Sequence, residues 1–142
     1  MESLEVIKHK DKIVRNYLIG RNWDKNKEFL LIQQIIKGKK IKNYLNKFHY
    51  IYDYEWEVVY GHNNFGKGDL VLTDGKENFL IIECKYIDLS DTGSTARAKR
   101  RKKRRHLEEQ ILKYISAFKR KHPEAKIVIG LGVTNERTII FQ

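Results

Sequence analysis

Asp69, Glu83 and Lys85 have the types and spacing that chemistry needs, and the chemistry would be that of a metal ion held by carboxylates. A lone E-x-K carries little weight, since Glu124 and Lys126 form a second one. Placement gives the first its meaning. Glu83 and Lys85 interrupt the otherwise apolar stretch from Phe79 to Ile87. Being two apart, they share a strand face with Phe79 and Ile81, while Leu80, Ile82, Cys84 and Tyr86 take the other. Charge on an apolar strand requires partners, because burying it unpaired is costly. Residues 74–78, Asp-Gly-Lys-Glu-Asn, read as a hairpin turn. With three or five residues unpaired there, Asp69 falls opposite Glu83, Cα atoms about 4.5–5.5 Å apart. A slip of one residue would put Asp69 opposite Ile82, on the wrong face. Two adjacent carboxylates repel unless a cation lies between them, and hard oxygen ligands favour Mg²⁺ or Mn²⁺. The alternative is an Asp–Lys–Glu salt-bridge cluster at the surface end of a sheet.

The elements that must position these residues follow from periodicity. Leu4, Ile7, Val14 and Leu18 space as a helix over 3–19, with Gly20 ending it. A second helix starts after Asp24 or Asn26 and runs to Lys37, and Ile41, Tyr44, Leu45 and Phe48 suggest a short third. Near residue 53 the period changes to 2. Tyr54, Trp56, Val58 and Tyr60 alternate with Glu55, Glu57 and Val59, which predicts a strand whose wet face carries the glutamates. After a loop at 61–68, strands at 69–73 and 79–86 make the hairpin. A helix carrying Leu107, Ile111, Ile115 and Phe118 ends before Pro123, and strands at 126–133 and 138–141 close the chain. The expectation is one α/β domain with a mixed central sheet flanked by helices, residues 24–142 forming the core and 1–22 a helical extension.

Lys and Arg number 29 against 18 acids, a net charge of +11. Eight of those basic residues are Arg97, Lys99, Arg100, Arg101, Lys102, Lys103, Arg104 and Arg105; without them the balance falls to +3. So concentrated a run suits a polyanion, nucleic acid above all. A solvated face or a nuclear-import signal is the plainer alternative. Good helix formers make up most of the run, but eight like charges near a helix N-terminus oppose the macrodipole. It is therefore expected to be mobile alone and to order against phosphates. A single cysteine, Cys84, gives no internal disulfide, and no apolar run reaches the roughly 20 residues of a membrane helix. No signal-peptide pattern opens the chain, so an intracellular protein is expected, nuclear through residues 97–105 if the source is eukaryotic or viral. The five histidines have no zinc-site spacing.

Gly66, Lys67, Gly68 and Asp69, then a hairpin, then Ile82, Glu83, Cys84 and Lys85, resemble the PD-(D/E)xK nuclease superfamily, with its restriction-endonuclease-like fold. The resemblance covers roughly residues 24–130; Gly68 stands where the superfamily's name has proline. It implies that Asp69 and Glu83 bind the catalytic metal and that Lys85 orients or helps deprotonate the attacking water. By location, Glu28 matches the helix glutamate of Holliday-junction-resolvase-like members and would be a further metal ligand. An exposed acid favoured by the helix dipole is the alternative there. Gln110 and Tyr114 look like the Q-x-x-x-Y signature of the exonuclease branch, which would make Gln110, beside the apolar stripe, a catalytic-site residue; a glutamine at the stripe's edge facing solvent is the alternative. Lys67 and Tyr114 join the basic run as candidate nucleic-acid contacts. The expected activity is Mg²⁺- or Mn²⁺-dependent hydrolysis of phosphodiesters, DNA placed ahead of RNA, with a homodimer compatible. The rivals are a nuclease-fold binding module that no longer cuts, an RNA endonuclease, and a basic domain that binds protein.

Overall fold

The structure, a computed structural model, describes residues 2–57, 67–136 and 138–141, the last four as backbone. Its elements run α1 (Leu4–Ile19), α2 (Lys27–Ile36), α3 (Lys42–Leu45), β1 (Tyr50–Glu57), β2 (Lys67–Thr73), β3 (Asn78–Lys85), α4 (Ser94–Lys121), β4 (Ile127–Thr134) and β5 (Thr138–Phe141). Side-chain caps start the first two helices: the Ser3 hydroxyl accepts from Val6 N–H and Asn26 Oδ1 from Phe29 N–H. The strands form one sheet in the order β1-β2-β3-β4-β5. β3 and β4 are parallel and the other neighbours antiparallel. Parallel neighbours need a crossover, and α4 supplies it. The fold is mixed α/β, its sheet flanked by helices. Among the described residues, no helix is long and apolar enough to cross a membrane.

Alternation along the hairpin sorts two cores. Leu70, Leu72, Leu80, Ile82 and Cys84 pack with Leu18 of α1 and with Leu31, Ile32 and Ile35 of α2. Val71, Phe79 and Ile81 pack with Leu107, Ile111, Ile115 and Phe118 of α4. Each fully buried side chain of this kind contributes about 1.5–3 kcal/mol. α4 lies close on β4 because Gly130 and Gly132 have no side chain: a Cβ there would come within 2.5 Å and 2.7 Å of Ile111. Residues 2–22 are tied to this body. Asp11 Oδ1 accepts from Ile51 N–H at 2.7 Å, and the buried Gln33 amide donates to the carbonyls of Leu18, Ile19 and Arg21.

One local expectation fails. β1 begins at Tyr50, and its alternation breaks at Glu55, whose φ of 48° lies in the left-handed region. Tyr54 consequently packs beside Tyr17 and Phe29 on the α1–α2 face, whereas Trp56 meets Tyr114 and Phe118 on the α4 face. Residues two apart thus lie on opposite faces; Val58 and Tyr60, and the loop from 61 to Gly66, lie outside the described residues. Arg97 to Arg105 forms the early turns of α4, extending the helix that bears Gln110 as its helix formers allow. Gly93, the residue before the helix, offers no side-chain cap, so other contacts must offset the repulsion. Arg104 pairs with Glu136 at 2.9 Å, and Arg100 donates to the Asp91 carbonyl at 3.0 Å.

Candidate active site

The hairpin register brings the two acids together. β2 and β3 pair Leu70 with Ile82 and continue to Thr73 and Phe79, leaving residues 74–78 as the turn. One step beyond that ladder, Asp69 N–H donates to Glu83 Oε1 at 2.9 Å, and Cys84 N–H donates to Asp69 Oδ2 at 2.8 Å. Each carboxylate therefore caps the other strand's backbone, which fixes both rotamers. The carboxyl groups also hydrogen-bond each other. Glu83 is only 4% exposed and Asp69 half-buried. Burial and then the Asp69 charge drive the Glu83 carboxyl up past neutrality. Burial also raises Asp69, opposed by the Cys84 N–H and the Glu83 bond. Without a cation the pair holds a proton at neutral pH, since two adjacent carboxylates cannot both ionise cheaply.

Glu28, on the first turn of α2, arrives from the opposite side of the sheet and meets Lys85 Nζ at 3.5 Å. Its charge reaches both acids and raises them further, and so does that of Glu55 at Asp69. The structure thus gathers Glu28, Asp69, Glu83 and Lys85 from three elements. Tyr114 closes the α4 side: it is 4% exposed, and burial followed by the charges of Glu83 and Asp69 pushes its phenol up to about 12. Gln110, one turn earlier, is exposed and makes no hydrogen bond among the described residues. Lys67 is exposed at the start of β2, two residues from Asp69. Cys84 is buried on the α1–α2 face, away from the acids, and burial raises its thiol.

Two features were not anticipated. The buried Trp56 indole N–H and Tyr54 hydroxyl have no hydrogen-bond partner among the described residues. Trp56 Nε1 lies where a Gly68 Cβ would be, 2.0 Å from that position, so only glycine fits immediately before Asp69. The break at Glu55 brings Trp56 here, and no periodicity signals it. Beyond β3, Asn135 clamps the chain by accepting from Ile87 N–H at 2.7 Å and donating to Ile87 C=O at 2.9 Å.

Among the described residues, no three His, Cys, Asp or Glu side chains converge into a ready-made metal cluster. The donor set is the acid pair. A buried and a half-buried carboxylate that repel each other through hard oxygens would suit a magnesium-like ion, which usually takes one or two carboxylates and completes its shell with water and phosphate oxygens. Comparison with protein-family models, curated proteins and solved structures found no match.

Proposed function

We propose that this chain is a metal-dependent nuclease resembling the PD-(D/E)xK superfamily. The observation that carries the reading is the buried Asp69–Glu83 pair, too repulsive to ionise fully unless a cation replaces its proton. Asp69 and Glu83 would hold Mg²⁺ or Mn²⁺. Once bound, the ion would lower the pKa of water and steady charge developing on a phosphate. Lys85, half-exposed at the end of the same strand, would add positive charge beside that phosphate and help place the nucleophile. Glu28 meets the Lys85 ammonium at 3.5 Å and would act through it, by holding that charge at the end of β3. Tyr114 walls the α4 side of the pair. The basic turns of α4 supply affinity for the backbone without reading sequence.

A second reading, a binding module that does not cut, draws on the Glu28–Lys85 contact, which turns that ammonium toward α2. One experiment separates the two. Wild-type protein and Asp69→Asn are incubated with plasmid, single-stranded DNA and RNA in Mg²⁺, in Mn²⁺ and in EDTA. Metal-dependent cutting by wild type alone is the expected result, and the preferred substrate distinguishes a DNA from an RNA nuclease. Binding without cutting in any metal would leave the module.

A further inference from the structure

The basic run is not one uniform surface, because its helix divides it. At 100° per residue, Arg100 and Arg104 point toward the body of the protein, where they meet the Asp91 carbonyl and Glu136. Arg97, Arg101 and Arg105 lie exposed on the opposite flank to Lys99, Lys102 and Lys103, outward from the groove those lysines line. Lys99, Lys102, Lys103 and His106 make a third face and line a single groove together with Lys85. None of these four α4 side chains forms an ion pair among the described residues, so the groove holds excess positive charge next to the acid pair. Asp88 and Asp91 offset it only at the outer end, where they share a neighbouring hollow with Lys99 and Lys103. From Lys99 to His106 the helix rises about 10 Å. That length accepts more than one phosphate of a strand whose charges repeat every ~3.4 Å of duplex axis. Gln110 falls one turn beyond His106 on the same face, which leads toward Tyr114 and Glu83.

Resting on the nuclease reading, we propose that one strand of nucleic acid is gripped through successive phosphates by Lys99, Lys102, Lys103 and His106, and is delivered along this face to Lys85 and the acid pair. Charge complementarity selects the occupant: a polyphosphate backbone matches Lys99, Lys102 and Lys103, which form no ion pair among the described residues, with Asp88 and Asp91 at the outer end of the row and the Glu28-paired Lys85 at its inner end. His106 is a binding residue of this groove. Arg100 and Arg104 fasten the helix, and the outward arginines attract the polymer only at long range.

The test compares two charge-matched triples in an Asp69→Asn background, so that the probe survives. One is Lys99→Gln, Lys102→Gln, Lys103→Gln; the other is Arg97→Gln, Arg101→Gln, Arg105→Gln. All six side chains are exposed and make no ion pair among the described residues, so neither triple threatens the fold. Anisotropy of a labelled single-stranded DNA is followed across a salt series. The groove triple should flatten the slope of log K against log salt by about 2 units, at about 0.7 per phosphate contact. The outward triple should change it far less. His106→Ala alone should weaken binding about three- to ten-fold, the range of one lost hydrogen bond. Equal slopes for the two triples would overturn the groove, and so would competition by polyglutamate as effective as by DNA. Cutting by the wild-type chain is scored separately. If it cuts and the triples are equal, only the groove fails; if it does not cut and the triples separate, only the nuclease reading fails.

Discussion

At Glu83, hydrogen bonding and electrostatics act in opposite senses. The Asp69 N–H favours a charged Glu83, but burial and the Asp69 carboxylate disfavour it more strongly. A raised acid binds its proton in the folded chain when the unfolded chain has already lost it. Stability without metal should therefore fall as pH rises from the usual carboxylate range, about 4, past neutrality. Thermal melts in EDTA should show that decline, and Glu83→Gln should flatten it, because the amide still accepts from Asp69 N–H but cannot ionise. Mg²⁺ should raise the wild-type melting temperature more at pH 8 than at pH 6 and release a proton on binding, which calorimetry in buffers of different ionisation enthalpy detects. A melt independent of pH would contradict the shared proton. In the proposed site Lys85 would contribute charge and position rather than a metal–oxygen bond. Lys85→Ala should slow cutting severely while metal titration stays near wild type, and lost metal binding would reassign it.

Within α4, one helix carries both the core face and the proposed substrate face. Ile111 is wholly buried between Gly130 and Gly132, so Ile111→Ala should cost about 2–5 kcal/mol in denaturant unfolding. Gln110 is exposed, so Gln110→Ala should leave stability alone and lower activity if the substrate runs along that face. Equal effects from the two would remove Gln110 from the site. The basic turns of the same helix hold through Arg104 and Glu136. An ion pair of this exposure contributes modestly, about 0.2–1 kcal/mol, so Glu136→Gln should hardly move the global melt. Amide exchange over residues 94–104 should nevertheless quicken, since those turns lose their tie to the body. Exchange as slow as in wild type would show that packing alone holds them.

At the scale of the whole molecule, eight of the positive charges behind the net +11 lie in residues 97–105, beside one end of β3, so affinity for nucleic acid should fall steeply with salt while turnover on saturating substrate changes little. Cutting rates measured at rising KCl, with substrate far above KM, check this. Turnover that collapses at saturation would mean that the same charges act in the chemical step. Much of this arrangement is written locally in the chain. Alternation in β2 and β3 and an odd turn between them place Asp69 against Glu83, because a slip of one residue would expose every apolar side chain of the hairpin. Caps at Ser3 and Asn26 mark helix starts for equally local reasons. The tertiary structure decided the rest. Glu28 meets Lys85 only because α2 packs across the end of the sheet, and Tyr114 reaches the acids only because Gly130 and Gly132 let α4 lie close. The left-handed turn at Glu55, a residue type that rarely adopts it, reverses the faces of Tyr54 and Trp56 against their apparent period. Helix formers in the basic run allow α4 to extend through it, and only the tertiary structure brings Glu136 and the Asp91 carbonyl beside Arg104 and Arg100. Periodicity records which side of its own element a residue occupies. Which distant element covers that side depends on packing, where small residues, counter-charges and backbone breaks far apart in the chain act together.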